Sequence, residues 1–285
     1  MGDDTPNTGQ AEYWGGVAGR NWVAQEAIYD GMHAGIAELL VARLAPSPGE
    51  CILDVGTGTG TVALAIAELV RPGGHVTALD VSPPMLGRAA ERITAANQGH
   101  TVSVLLTDAQ THPFEPATYD ALTSRFGVMF FDDPVAAFAN LGRAVRGGGR
   151  LAVAVWQAVE LNEFLALPHA VIARHVADQP NPTATGDPFS WGDPALVEQI
   201  LTRAGWTDVD LEADTGTMLA GGPATVDQAV DFALGRGHVA AMLTVASEAT
   251  RAEVREDLRA EFADRHDGEG VRLRYAIWLV TAARP

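Results

Sequence analysis

Residues 53–64 read LDVGTGTGTVAL. Asp54 sits inside a short apolar run, Gly56, Gly58 and Gly60 follow at alternate positions, and an apolar helical pattern then begins. Glycines in such a turn let the backbone take positive φ angles and come close to a ligand. The helix that follows opens with unpaired N–H groups. A strand, a glycine turn and a helix in this order mark the ligand-binding edge of a wound parallel sheet, beyond the carboxyl ends of its strands.

The flanking sequence continues the alternation. CILDV (51–55), HVTALD (75–80), VSVLLTD (102–108), YDALTS (119–124) and RLAVAVW (150–156) read as strands. TVALAIAELV (61–70) reads as a helix. Another starts after a cap at Ser82 and runs through MLGRAAERITAA, and Asp132-Asp133-Pro134 opens a third, VAAFANLGRAV. Right-handed crossovers then cover both faces of the sheet. WTDVDLEA (206–213) and RLRYAIWLVTAA (272–283) add two strands. The expected fold is α/β, a Rossmann-like seven-stranded mostly parallel sheet with helices on both faces. It carries a helical N-terminal cap over residues 1–45, anchored by Tyr13, Trp14 and Trp22. Residues 46–285 form the main domain, with helical lid insertions at about 157–192 and 222–268; within the second, 225–266 reads as one helical stretch.

The chain has 285 residues, of which 47% are hydrophobic, enough for a buried core. No apolar run approaches the ~20 residues of a membrane span. The opening MGDDTPNTGQ carries two acids and no apolar stretch, so it does not read as a signal peptide, and a cytoplasmic location without membrane contact is expected. The net charge of −17 repels phosphate backbones, which argues against nucleic acid and makes small neutral or cationic acceptors easier to accommodate. All 19 basic residues are arginine. The absence of lysine excludes a Schiff-base lysine and the lysine of a Walker loop. A single cysteine, Cys51, excludes an internal disulfide, a thiolate zinc site and an iron–sulfur cluster; it reads as a buried structural thiol, and no metal is expected.

A dinucleotide turn prefers G-x-G-x-x-G, whereas this one is G-x-G-x-G with Thr61 in the last glycine's place. Asp54, two residues before the first glycine, suits an ammonium better than a pyrophosphate. Asp80 ends the second strand, placed to accept from both hydroxyls of a ribose. Asp108 ends the third, where it can accept from an exocyclic amine of adenine, and Met85 can lie against the purine face. Any one of these aspartates alone equally suits helix capping. Three at successive strand ends match an adenosine that carries an amino acid.

With LDVGTGTG, TALDVSPPML, LLTDAQTHPF, YDALTSRFGVMFF and LGRAVRGGGRLAVAVW in place, residues 45–156 resemble the class I S-adenosylmethionine-dependent methyltransferases, in particular the subgroup similar to ubiquinone and menaquinone C-methyltransferases. The resemblance implies S-adenosylmethionine as cofactor. It implies that Asp54, Gly56, Gly58 and Gly60 surround its methionine part and that Asp80 holds the ribose. Val81 and Met85 would lie beside the adenine, Asp108, Ala109 and Gln110 at its edge, and Ser124 and Arg125 near the methionine end. Gly147 stands where the family often has proline, on the far side of the sheet.

Methyl transfer from a sulfonium needs mainly alignment and exclusion of water. A hydroxyl or ammonium acceptor also gains roughly 10²–10⁴-fold from a base. His112, four residues after Asp108, and His169, in the segment after the fifth strand, are the catalytic candidates; His175, His238 and Glu163 are further ones. Each also reads as a loop or packing residue. Trp14, Trp22, Trp156 and Trp191 are available to enclose an apolar acceptor. The expected activity is methyl transfer to a small molecule of bacterial secondary metabolism. A catalytically silent cofactor-binding regulator and an NAD-dependent dehydrogenase are the alternatives. The charged helix and the last strand suit a lid or a homodimer interface equally.

Overall fold

The computed structural model describes residues 6–176 and 186–285. Most of the proline-, asparagine- and threonine-rich loop of the first insertion lies outside the described residues. Four helices come first: α1 (Thr8–Gly15), α2 (Val17–Ala24), α3 (Glu26–Met32) and α4 (Ala34–Leu44). The alternating part follows as β1 (Cys51–Val55), α5 (Thr61–Leu69), β2 (His75–Asp80), α6 (Pro83–Ala95), β3 (Val102–Leu106), β4 (Tyr119–Arg125), α7 (Pro134–Ala144) and β5 (Val145–Trp156). The rest is α8 (Glu163–His175), α9 (Pro194–Arg203), β6 (Thr207–Leu219), α10 (Val226–Gly235), α11 (Gly237–Met242), α12 (Glu248–Ala263) and β7 (Arg272–Ala283).

The seven strands form one sheet in the order β3-β2-β1-β4-β5-β7-β6. The first five run parallel, and β7 lies antiparallel between β5 and β6. Because helices cover both faces, the central strands are apolar on both sides, and Ile52, Leu53, Ala121, Leu122 and Val153 are fully buried. The strand order reverses between β1 and β4, which opens a crevice beyond their carboxyl ends. The expected caps form. Ser82 Oγ accepts from Met85 N at the start of α6 (3.4 Å), and Asp133 Oδ1 accepts from Ala136 N at the start of α7 (2.9 Å).

The N-terminal helices are fastened across this crevice. Ile36, Leu40 and Leu44 recur at helical spacing on α4 and are buried in the core. On α3, Glu26 pairs with Arg88 and Asp30 with Arg92, both of α6, each at 2.9 Å.

Two readings of the sequence change. Residues 225–266 are not one helical stretch but three helices. Gly235 and Gly237 flank Arg236, whose backbone is extended (φ −70°, ψ 136°), and Ser247 caps α12 by accepting from Thr250 N at 3.1 Å. Each glycine costs a helix interior about 1 kcal/mol against alanine, so the chain turns there. Cys51 is half-buried at the start of β1 rather than buried. The two insertions, separate in sequence, pack together: α8, α10, α11 and α12 form one helical layer over the end of the sheet. Among the described residues, no helix is long and apolar enough to cross a membrane.

Candidate active site

All three glycines of the turn have positive φ: Gly56 at 66°, Gly58 at 58° and Gly60 at 85°. A Cβ on Gly56 would lie 2.7 Å from Gly127 Cα, and one on Gly127 would lie 2.7 Å from the Val55 carbonyl. The loops after β1 and β4 therefore touch backbone to backbone. A Cβ on Gly58 would meet Met85 Cε at 3.1 Å, and one on Gly60 would meet Ala89 Cβ at 3.2 Å. Gly60 thus serves the close approach of α5 to α6 and does not face the crevice.

The strand-end aspartates are tied to this turn. Asp80, only 6% exposed, accepts from Gly58 N through Oδ2 (2.7 Å) and from Ser82 N through Oδ1 (2.9 Å). Burial raises its pKa against the pull of these N–H groups. Asp54 is buried at the end of β1, with Oδ2 accepting from the Thr57 hydroxyl at 2.7 Å. Burial pushes its pKa up to about 6, although Thr57 and Arg125 pull the other way. Asp108 Oδ1 accepts from Gln110 N and from Asn7 Nδ2, each at 2.9 Å.

Asp54, Asp80 and Asp108 all line one cavity of about 460 Å³, with Gly56, Gly58, Val81, Met85, Ala109 and Arg125. That volume is typical of small-molecule sites. Arg125 Nη2 lies 3.9 Å from Asp30, and its buried Nη1 has no hydrogen-bond partner among the described residues. His169 faces the same cavity; burial and the positive field of Arg236 lower its pKa, so its imidazole is neutral.

Other expected residues stand elsewhere. Ser124 is fully buried behind the wall, where Oγ accepts from Gly127 N at 3.1 Å. Gln110 Oε1 accepts from Asn7 Nδ2 (3.2 Å) and Asp133 N (3.1 Å), which ties loops together outside the cavity. His112 is turned away: Nδ1 lies 3.2 Å from Thr107 Oγ1, the ring meets Phe114 edge-on, and its carbonyl accepts from Asn140 Nδ2. The helical turn after Asp108 carries its side chain to the outer side. His175 pairs with Asp257 (2.9 Å) and Glu163 with Arg274 (2.8 Å), both outside the cavity. The side chain of His238 lies outside the described residues. Trp14, Trp22 and Trp156 line the cavity, whereas Trp191 packs on Phe138 in the core.

Several residues that complete the enclosure carry no local signal in the sequence. Asn7, 4% exposed, bridges Asp108, Gln110 and the backbone of Asp132, so it draws the start of α1 over the β3 end of the crevice. Tyr29 stacks on Trp22 and Phe126 on Trp156, each pair 3.9 Å apart and nearly parallel. Phe126 holds a left-handed backbone (φ 66°), a strain of order 1–3 kcal/mol that the stacking and the Phe126 N to Ala154 O bond (2.9 Å) offset. His33, 4% exposed, lies among Trp22, Tyr29, Phe126 and Trp156. Burial first, then the fields of Arg125 and Arg236, hold its pKa well below the usual value.

This burial sets a pH dependence. An unfolded histidine takes up a proton near pH ~6.5, whereas His33 in the folded protein does not. As pH falls below that value, the unfolded chain binds more protons and stability drops. Urea unfolding of His33→Leu is expected to show a flatter loss than the wild type between about pH 7 and 5, by up to ~1.4 kcal/mol per pH unit. Equal slopes in the two proteins would remove His33 as the cause.

The cavity thus has an acidic floor at the strand ends and an aromatic roof from α2, α3, α8 and the α10–α11 junction. Residues 52–149 match a family described as a methyltransferase domain. The chain is 33% identical over 147 residues to the ubiquinone/menaquinone biosynthesis C-methyltransferase of Rhizobium leguminosarum, covering 51% of this chain and 57% of that protein. The chain therefore matches little more than half the length of such relatives. The counterpart of Brucella anthropi is 34% identical over 186 residues, covering 65% of this chain and 70% of that protein. A nocamycin O-methyltransferase of Saccharothrix syringae is 30% identical over 187 residues, covering 61% and 65%. Among solved structures, the YcgJ protein of Bacillus subtilis shares the fold with a TM-score of 0.59 at 16% identity, covering 89% of this chain and 100% of that one.

Proposed function

Because the chain belongs to the class I S-adenosylmethionine-dependent methyltransferases, we propose that it transfers a methyl group to a small-molecule acceptor enclosed under its helical roof. The observation that carries this reading is the convergence of Asp54, Asp80 and Asp108 with the glycine turn on one cavity. The donor set fits the cofactor: a buried acid for an ammonium, a second for two hydroxyls, a third for an exocyclic amine, and Met85 for the purine face. When bound, S-adenosylmethionine supplies a sulfonium methyl that an acceptor lone pair takes by in-line displacement, the broken S–C bond leaving its electrons on sulfur.

In this reading Asp54 neutralises the ammonium, Asp80 orients the ribose, and Val81, Met85, Asp108 and Ala109 bind the adenine. Gly56 and Gly58 allow the close backbone approach, and Arg125 closes the methionine end. The N-terminal helices and the layer of α8, α10, α11 and α12 act as cap and lid that exclude water. His169 lines the cavity, and we assign to it the proton of a hydroxyl acceptor. A product of secondary metabolism is the acceptor class we favour, supported by the nocamycin O-methyltransferase relative. Asp54 and Thr61 argue against a dinucleotide in this turn.

Titration calorimetry with S-adenosylhomocysteine tests the reading, with micromolar affinity expected. Binding of NADH instead would replace it with the dehydrogenase alternative. The raised pKa of Asp54 adds a signature. An ammonium partner requires the ionised carboxylate, so affinity is expected to hold above pH 7 and to fall by up to about tenfold per unit below about pH 6. Asp54→Asn is expected to bind more weakly and without this dependence. A wild-type affinity unchanged from pH 7 to pH 5 would remove Asp54 from the ammonium site.

A further inference from the structure

The roof holds a guanidinium that has no ion-pair partner among the described residues. Arg236 stands on the extended residue between α10 and α11 and lines the cavity. Its guanidinium carbon lies 4.9 Å from the Phe164 ring centroid and 6.0 Å from that of Phe232. Its hydrogen bond is a long one, Nη1 to the Phe164 carbonyl at 3.4 Å. A guanidinium has five N–H donors, so most of this fork is unused. Among the described residues no carboxylate lies within ion-pair distance of it, in a chain with 36 acids against 19 arginines.

Its polar neighbours do not supply the missing charge. Burial raises the pKa of both Tyr13 and Tyr29, so their phenols stay protonated. His33 and His169 are neutral. The other cavity arginine, Arg125, differs, because Asp30 and Asp54 lie in its field at the floor. Desolvation of an unpaired charge is costly, and a buried cation without a protein partner is the complement of an anionic ligand. Trp22, Tyr29, Phe126, Trp156 and Phe164 line the same cavity and offer flat apolar walls.

We propose that the roof half of the cavity binds an aromatic acid, with its ring against the aromatic side chains that line the cavity and its carboxylate on the Arg236 guanidinium. This inference rests on the methyltransferase reading and names the acceptor class for it. It reverses the expectation from net charge, which favours neutral or cationic acceptors. The surface charge slows the approach of an anion, but the contact inside a low-dielectric pocket decides affinity.

The test uses the full chain saturated with S-adenosylhomocysteine, titrated with 4-hydroxybenzoate and with its uncharged amide, 4-hydroxybenzamide. The acid is expected to bind about tenfold or more tightly than the amide, as a charge-assisted contact implies. Arg236→Met is expected to erase that preference and Arg236→Lys to keep part of it, while both bind S-adenosylhomocysteine as the wild type does. Equal affinity for acid and amide, or no binding of the acid, overturns the inference alone. A loss of S-adenosylhomocysteine affinity in both variants assigns Arg236 to the cofactor and overturns it too. Should Arg236→Met not fold, the wild-type comparison of acid with amide and the lysine variant decide. Failure of the wild type to bind S-adenosylhomocysteine overturns the methyltransferase reading, and the inference with it.

Discussion

Asp80→Ala is expected to weaken S-adenosylhomocysteine binding by about a hundredfold or more. Its carboxylate accepts from Gly58 N and Ser82 N at 2.7 and 2.9 Å, and in the proposed complex it also accepts from the ribose. Alanine leaves two buried backbone donors unpaired, at about 1–3 kcal/mol each, and removes the ribose partner as well. Asp80→Asn keeps one acceptor oxygen but turns its NH₂ group toward one of the two backbone donors, so an intermediate loss is expected. Stability should fall as well, because the two unpaired donors cost the folded protein with or without ligand, and this fall is partly offset. A buried carboxyl with a raised pKa favours its proton in the folded state, so its ionised form costs stability at neutral pH, and alanine removes that cost. Calorimetry on a variant with native circular dichroism checks this. Full retention of affinity would contradict the ribose assignment.

Gly56→Ala is expected to lower both cofactor affinity and Tm. The added Cβ would lie 2.7 Å from Gly127 Cα, a backbone atom that cannot rotate aside, and φ of 66° is already unfavourable for alanine. A loss of roughly 3 kcal/mol, about 5–10 °C in Tm, follows from strain plus separation of the two loops. Gly87→Ala is the control. It sits on the exposed face of α6 with nothing within 4 Å of a new Cβ, and is expected to stabilise by about 0.5–1 kcal/mol. A thermal melt in which both variants moved the same way would show that contact with Gly127 does not control the turn.

The sheet was largely legible in the chain. Strands β1, β2 and β7 fall on the residues their apolar patterns mark, and the Ser82 and Asp133 caps hold the helices expected after them. The aspartates were legible for the same reason, since a residue that ends a parallel strand is delivered to the ligand-binding edge by local geometry. His112 was not. Four residues beyond Asp108 place it near the crevice in sequence, but the turn decides which way the ring points, and it points at Thr107. Gly127 was equally silent, because its need for no side chain comes from Val55 and Gly56, some seventy residues earlier.

Hydrophobic periodicity and strand-end chemistry by themselves determined the α/β fold, the glycine turn and the acidic floor, because each is written within a few residues of chain. Only the tertiary structure decided the roof. Asn7 meets Asp108 across 101 positions, and His33 and Arg236 face one cavity from opposite ends of the sequence. Such meetings depend on helix packing and on the break between α10 and α11. A break redirects a side chain without leaving any periodic trace in the sequence around it.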